Sequence, residues 1–183
     1  VEEVRLDEDF TIREVEAADL ARLAEWIRRD PTLEFFERND TVEGLARVLA
    51  DKHDENGAIC CIVDYRDRPL GYVEIYPSRL WFHVHGPAEN ERPWGMDVFI
   101  GDPRHRNRGL GARFVGLVSR HVLEALEATR VVIDPEASNV QAIRCYGKAG
   151  FRKSRFIEGS VSHGETFHDT WLMEFARSGG GND

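Results

Sequence analysis

The sequence predicts a mixed α/β domain on one central sheet, with about seven strands flanked by about four helices. Three observations carry this. Alternating apolar and polar stretches interleave with stretches of helical apolar spacing, in the order βααβββαβαββ. No internal repeat and no interdomain linker breaks that order. A chain of 183 residues that is 42% hydrophobic can also bury one sizeable core. A single domain is expected over residues 1–176, followed by a flexible tail over 177–183.

Residues 10–16, FTIREVE, alternate and read as a strand. In AADLARLAEWIRRD, Asp19 starts a helix whose Leu20, Leu23, Trp26 and Ile27 recur at helical spacing. A second helix is expected over 41–55, with Thr41 as its cap. AICCIVDY and PLGYVEIYP are strands parted by the turn-like RDR, so they form a hairpin. WFHVHGPAENERP, residues 81–93, is an irregular excursion ending at Pro93. GMDVFIG, residues 95–101, is a short strand.

After DPRHRNRGLG comes a long helix with Leu110, Phe114, Leu117, Val118, Val122 and Leu126 on one face. RVVIDPE is a buried strand stopped at Pro135. The helix in SNVQAIRCYGKAGF is capped by Ser138 or Asn139 and closed by Gly150. Two last strands lie on either side of the HGE turn, and SGGGND forms the tail.

Charge bounds the partners. With 33 acidic against 24 basic residues and a formal net charge of −9, a broad phosphate-tracking surface is disfavoured, and no nucleic-acid partner is expected. An excess of acid suits a cationic small molecule, or serves solubility alone. No apolar run is long enough to span a membrane, and the acidic start VEEVRLDEDF does not read as a signal peptide. Three cysteines, with Cys60 and Cys61 adjacent and Cys145 apart, make no disulfide framework, so a cytoplasmic setting is expected. His83 and His85 alternate on one stretch and His163 and His168 lie far along the chain. None has a cysteine or carboxylate at recognised ligand spacing, and no metal is expected.

One basic patch stands out in this acidic chain: RHRNRGLG, with Arg104, His105, Arg106 and Arg108 ahead of Gly109 and Gly111. It lies between a strand and the first turn of a helix, where unpaired amides and a partial positive charge favour anions. Glycine lets the backbone approach a ligand closely, and Arg106 and Arg108 can pair with phosphate oxygens. The spacing is neither that of the lysine-bearing phosphate loop nor that of the dinucleotide fingerprint. Taken alone, the patch also reads as an ordinary turn with solvated arginines.

The stretch from Arg106 to Gly111 resembles the acetyl-coenzyme A signature of the GCN5-related N-acetyltransferases (GNAT). About forty residues on, SNVQAIRCYGKAGF resembles the second motif of that superfamily, Asn-x-x-Ala-x-x-x-Tyr-x-x-x-Gly-Phe. The resemblance implies a GNAT fold, acetyl-coenzyme A as cosubstrate, and direct acetyl transfer without an acyl-cysteine. It implies that Arg106, Asn107, Arg108, Gly109, Leu110, Gly111 and Ala112 hold the pyrophosphate. Residues Val98, Phe99 and Ile100 would run along the pantetheine arm, with an amide near Val98 polarising the thioester carbonyl. Asn139 matches a pantetheine contact. Tyr146 matches the group that protonates the departing thiolate, and otherwise reads as a packed helical aromatic.

Direct transfer needs a neutral amine and hence a base. Asp97 interrupts an apolar strand, where a charge is costly without a partner or a task. Asp134 lies at the end of RVVID, where ligands gather in α/β sheets, and reads equally as a turn or capping residue before Pro135. GMDVFIGDP, IDPEASN and AIRCYGKAGF are similar to aminoglycoside 6′-N-acetyltransferases. That similarity implies that Asp97 and Asp134 engage a cationic acceptor, with Asp97 nearest the reacting amine. GYVEIYP resembles the preceding family strand, with Tyr72 and Glu74 as cleft-facing candidates. Trp81 and Trp94 are candidates for sugar stacking or for packing, and Glu89 and Glu91 for an acidic lip or a solvated loop.

Rival readings are a siderophore-type acyltransferase, a ribosomal or N-terminal protein acetyltransferase, and a non-enzymatic acetyl-coenzyme A-binding regulatory domain. The first usually carries histidine where this chain has Asp97. The chain is expected to be a monomer or, through an exposed C-terminal edge strand, a homodimer.

Overall fold

Phe10 and Ile12 are buried while Thr11 and Arg13 stay half-exposed, so the alternation in FTIRE makes the expected strand. The computed structural model describes residues 3–30, 41–78, 91–163 and 166–177, and among them it contains eight strands and four α-helices. They belong to two compact units, Val1–Tyr76 with Asp97–Gly111 and Pro77–Met96 with Ala112–Asp183. The strand beyond the expected seven is β1 (Val4–Arg5), too short to leave an alternating pattern.

In the first unit, β1 pairs antiparallel with β2 (Phe10–Glu14), and β2 with β3 (Ile59–Tyr65). In turn β3 pairs antiparallel with β4 (Pro69–Pro77), and β5 (Pro93–Ile100) follows in the strand order. The β1–β2 turn is held by Asp7, whose Oδ1 accepts the Asp9 and Phe10 amides at 2.9 Å each. Helix α1 (Leu20–Arg29) is entered through a 3-10 turn, Ala17–Asp19, in which Glu16 and Asp19 form a capping box. Helix α2 (Val42–Asn56) has the expected cap, with the Gly44 amide donating to Thr41 Oγ1 at 3.1 Å.

The helical spacing of α1 buries Leu20, Leu23, Ala24, Trp26 and Ile27, which pack with Leu45, Ile62, Tyr72 and Phe99. Tyr72 stacks on Phe99 with centroids 5.5 Å apart, and Trp26 meets Phe99 edge-on at 6.1 Å. Close approach of strands depends on Gly71, where a Cβ would collide with the Phe99 carbonyl oxygen. Arg13 holds this unit electrostatically, donating to both Asp19 oxygens at 2.7 and 2.8 Å and to Asp64 at 3.1 Å. The guanidinium holds the Asp19 carboxyl below its usual range, whereas burial pushes Asp64 up against the same cation.

In the second unit, β5 pairs in parallel with β6 (Arg130–Ile133) through Pro93–Gly95. Then β6 pairs antiparallel with β8 (Thr166–Ala176), and β8 with the edge strand β7 (Arg152–His163). Strand β5 starts two residues before the expected Gly95. Pro93 stands at its first position, where a missing N–H costs no ladder bond, and Arg92 and Thr129 exchange hydrogen bonds just ahead of it.

Helix α3 (Leu110–Ala125) buries Phe114, Val115, Val118, Val122 and Leu123. Helix α4 (Val140–Ala149) begins at Asn139, whose Oδ1 accepts the Ala142 amide at 3.0 Å, and ends at Gly150 with φ 111°. Asn139, of the two cap candidates, is the cap. The expected tail lies outside the described residues except for Arg177, which donates to the Leu123 carbonyl at 2.8 Å. Among the described residues no helix is long and apolar enough to cross a membrane.

Two glycines give opposite expectations. Gly71→Ala forces a methyl group into a backbone oxygen and is expected to lower unfolding free energy by about 1–3 kcal/mol in urea titration. Gly147 lies inside α4 with nothing within 4 Å of the added carbon. Gly147→Ala is therefore expected to raise stability by about 0.5–1 kcal/mol. An unchanged midpoint for Gly71→Ala contradicts the close approach.

Candidate functional site

The basic patch begins where β5 ends. The Gly101 amide donates to Leu70 O at 3.0 Å, and Gly101 lies so close to Trp26 that a side chain there would enter the indole. Asp102 then opens a 3-10 turn, Pro103–His105, by accepting the Arg104 amide at 2.9 Å. Arg104 folds its guanidinium back onto the same carboxylate at 2.8–3.1 Å and holds it down to about 2, well below the usual carboxylate value. His105 Nδ1 lies 3.4 Å from Asp102 as well. Arg104 is therefore a turn residue with its charge on Asp102.

Arg106 also departs from the expectation of a phosphate ligand. Its amide donates to Pro103 O at 3.1 Å, and its guanidinium donates to Ile100 O and forms an ion pair with Asp30. Asp30, at the C-terminal end of α1, is 7% exposed, so this cation compensates a carboxylate that the fold has taken out of water. Arg106 is thus the anchor of the turn. Nothing in the local sequence signals it, because its partner lies at the end of a distant helix.

Beyond the anchor the backbone opens. Asn107 has φ 59° and Gly109 φ 80°, and nothing lies within 4 Å of a Cβ built at Gly109. Arg108 is exposed, and Leu110 begins α3. Positive φ at these two residues turns the backbone away from the extended course it has at Arg106, and the first turn of α3 adds amides without intrahelical partners. Backbone of this kind has the chemistry to hold an anion, and the exposed Arg108 guanidinium lies beside it. Gly111 and Ala112 continue it as half-buried residues of the first helical turn.

On β5, alternation puts Asp97 on the same face as Phe99, and Val98 and Ile100 on the other. Phe99 belongs to the core under α1, so Asp97 faces that side and is half-buried. Tyr72 corrects the expectation of a cleft-facing residue. It is 2% exposed, its ring is stacked in the core, and its hydroxyl donates to Glu74 at 3.3 Å. Glu74 is likewise buried, at 6% exposure.

In the second unit, Asp134 follows β6 on a segment held straight against β8. Trp171 N–H donates to Pro135 O at 3.0 Å, and Ala137 N–H donates to Asp169 O at 2.7 Å. Asp134 caps no helix, since Asn139 does that. Burial pushes its carboxyl up to about 6, opposed by a hydrogen bond from its own backbone, and among the described residues no cationic group contributes. Asn139 commits Oδ1 to its cap. Tyr146 is half-buried on the last turn of α4, its ring 6.1 Å from that of Phe151. Burial also raises the thiols of Cys61, to about 12, and of Cys145, which makes both poor nucleophiles.

Trp81, His83, His85 and Glu89 lie outside the described residues. Glu91 pairs with Arg130 at 2.7 Å, and Trp94 is a half-buried member of β5. His168 Nδ1 is 3.3 Å from Glu136. Among the described residues no three His, Cys, Asp or Glu side chains gather as a metal site.

The model for the acetyltransferase (GNAT) domain matches residues 15–158. The aminoglycoside N(6′)-acetyltransferase type 1 of Klebsiella pneumoniae is 27% identical over 156 residues, covering 80% of this chain and 76% of that one. The spermine/spermidine N(1)-acetyltransferase of Bacillus subtilis is 31% identical over 64 residues, 35% of this chain and 41% of that one. The solved structure of AAC(6′)-Ib in complex with paromomycin and acetyl-CoA superposes with a TM-score of 0.74 at 25% identity, covering 93% and 94% of the two chains.

The anchor can be tested without any ligand. Arg106→Ala removes the guanidinium paired with the buried Asp30 carboxylate and is expected to cost about 1–3 kcal/mol in urea unfolding. Adding Asp30→Ala is expected to recover part of that loss, because the buried charge that lost its cation is removed. Two single losses that simply add exclude the pair as the anchor.

Proposed function

The chain belongs to the acetyltransferase (GNAT) family, and we propose that it transfers an acetyl group from acetyl-CoA to a primary amine of a small cationic acceptor, an aminoglycoside above all. The observation that carries the acceptor class is Asp134. A carboxylate pushed up to about 6 by burial, with no cation contributing among the described residues, is a group that an incoming ammonium stabilises. The breadth of the likeness to aminoglycoside acetyltransferases, 80% of the chain against 35% for the polyamine enzyme, favours an aminoglycoside over a polyamine.

Acetyl-CoA supplies the activated acyl thioester. The turn into α3 fits its pyrophosphate, because the positive φ of Asn107 and Gly109 and the open space at Gly109 leave amides accessible to a bulky anion. In this reading the amides of Asn107, Arg108, Gly109, Leu110, Gly111 and Ala112 bind the pyrophosphate, with the Arg108 guanidinium beside them. Pairing of β5 with β6 stops at Gly95, ahead of Val98, Phe99 and Ile100, the residues that this reading gives to the pantetheine arm. Asn139, its Oδ1 on the helix cap, offers pantetheine its side-chain nitrogen.

Asp97 removes a proton from the acceptor ammonium, so that the neutral nitrogen attacks the acyl carbon as the C–S bond breaks. The Val98 amide stabilises the charge that develops on the acyl oxygen. The Tyr146 hydroxyl donates its proton to the departing sulfur. Glu74, buried against the Tyr72 hydroxyl, keeps a supporting position in this reading, whereas Tyr72 acts through packing.

Thiol release from acetyl-CoA, followed with aminoglycosides, polyamines, peptides and hydroxylamines as acceptors, tests the reading. Turnover is expected with aminoglycosides; turnover with peptides alone contradicts it. Asp97→Asn is expected to lower kcat by about 100-fold or more at unchanged affinity for coenzyme A measured by calorimetry. Unchanged kcat across the working pH range removes Asp97 as the base.

The pH dependence has a definite sign. Asp134 holds an ammonium only when ionised, so its contribution is complete above about 6 and is lost as pH falls through that value. The KM for the amine is expected to rise about tenfold per pH unit below this point, while KM for acetyl-CoA stays level. Asp134→Asn is expected to raise the amine KM at neutral pH and flatten the acidic limb; an acidic limb that persists in this variant assigns the titration elsewhere.

A further inference from the structure

Tyr72 is a core residue with a hydroxyl that its packing does not need. It is 2% exposed, and its ring stacks on Phe99 with centroids 5.5 Å apart and planes 22° from parallel. A phenylalanine ring would fill that place as well. The hydroxyl instead donates to Glu74 Oε2 at 3.3 Å, two residues along the same face of β4, and Glu74 is itself 6% exposed. A buried carboxylate is costly unless its oxygens have donors, so the phenol explains how Glu74 is tolerated but not why it is there.

The neighbouring strand supplies a reason. The Gly101 amide donates to Leu70 O at 3.0 Å, and Tyr72 stacks on Phe99. Two steps forward along β4 are therefore two steps back along β5, an antiparallel course in which Gly71 meets Phe99 and Ile100. Two further steps set Glu74 opposite Asp97. Asp97 shares the face of Phe99 and Glu74 that of Tyr72, so the two carboxylates stand side by side next to the stacked rings. Directly opposed residues have Cβ atoms about 4.5–5.5 Å apart. On its other side Glu74 pairs with Cys60 of β3, which is half-buried.

Like charges in directly opposed positions repel, and a cation between them relieves the repulsion. An ammonium carries three N–H groups, enough for Asp97 and Glu74 together. We propose that Tyr72 is a positioning residue for acetyl transfer: its hydroxyl fixes the Glu74 carboxylate opposite Asp97, so that the acceptor nitrogen is held between two carboxylates. Asp97 takes one proton from the ammonium. Glu74 accepts a hydrogen bond from a second N–H and takes no proton, which keeps the nitrogen from turning as its lone pair attacks the acyl carbon. The role rests on the reading of Asp97 as the base and adds to it the residues that orient the nitrogen.

Tyr72→Phe removes the hydroxyl and leaves the ring to stack on Phe99, and Glu74→Gln removes the charge at nearly constant volume. The experiment measures kcat and KM for kanamycin in the wild type, both single variants and the double variant, with KM for acetyl-CoA as the control. Calorimetry of kanamycin binding to the coenzyme A-loaded protein gives a second readout that needs no turnover. Tyr72→Phe is expected to lower kcat/KM for the amine about tenfold, with KM for acetyl-CoA unchanged. Glu74→Gln is expected to lower it at least as far. Adding Tyr72→Phe to Glu74→Gln is expected to cost nothing more, because the hydroxyl acts only through the carboxylate. An equal loss in both backgrounds, in turnover or in binding, or no loss in Tyr72→Phe, overturns the proposal. If the wild type binds kanamycin without acetylating it, non-additive weakening of binding keeps the pair as a cation site while the reading of Asp97 as the base fails. Neither turnover nor binding overturns both.

Discussion

The Arg106–Asp30 ion pair holds the turn between β5 and α3 to the end of α1. One guanidinium joins the last residue of β5, through Ile100 O, to the C-terminal end of α1, through Asp30. The backbone of Arg106 closes the 3-10 turn at the same time. With these groups committed, the chain past Arg106 is free to adopt left-handed conformations at Asn107 and Gly109 and to enter α3 with its first amides open. The cation offsets part of the desolvation cost of burying the Asp30 carboxylate. The anchor thus converts a requirement of packing, the burial of Asp30, into the position of the turn to which the proposed function gives the anion.

That division explains the basic patch in a chain of net charge −9. Two of the patch's arginines serve structure: Arg104 stands at Asp102, where His105 Nδ1 also lies, and Arg106 at Asp30. In the proposed function the anion is left to backbone amides and to Arg108, so no extended basic surface is required. Acidic groups follow the opposite logic. Most carboxylates in the interior have a partner in the protein, as Asp19 and Asp64 do in Arg13 and Asp30 in Arg106. Asp134 is buried with no cation contributing among the described residues, which is why the proposed function gives it the external one.

Local signals made much of this legible. Helix α4 could be bounded at both ends because Asn139 and Gly150 act through their own backbone, and the β3–β4 hairpin could be read because RDR parts two alternating runs. The turn from β5 into α3 was legible for the same reason, as glycines at the start of a helix. What escaped depends on which residues meet across the fold. Alternation says that Tyr72 and Glu74 share a face, but not that α1 and α2 cover it, so Tyr72 read as a cleft residue and is a core one. The anchor role of Arg106 and the bracing of Arg13 required knowing their distant partners. Strand β1, two residues long, is made by the Asp7 turn and its pairing with β2, not by any pattern of its own.

The central claim is that Asp134 is kept protonatable by burial until a cationic acceptor arrives. Calorimetry of kanamycin binding to the coenzyme A-loaded protein at pH 6, repeated in buffers of different ionisation enthalpy, counts the protons exchanged. A carboxyl at its midpoint that ionises on binding releases about half a proton per site. The wild type is expected to show that release and Asp134→Asn to lack it. Equal proton counts in the two proteins would contradict the account.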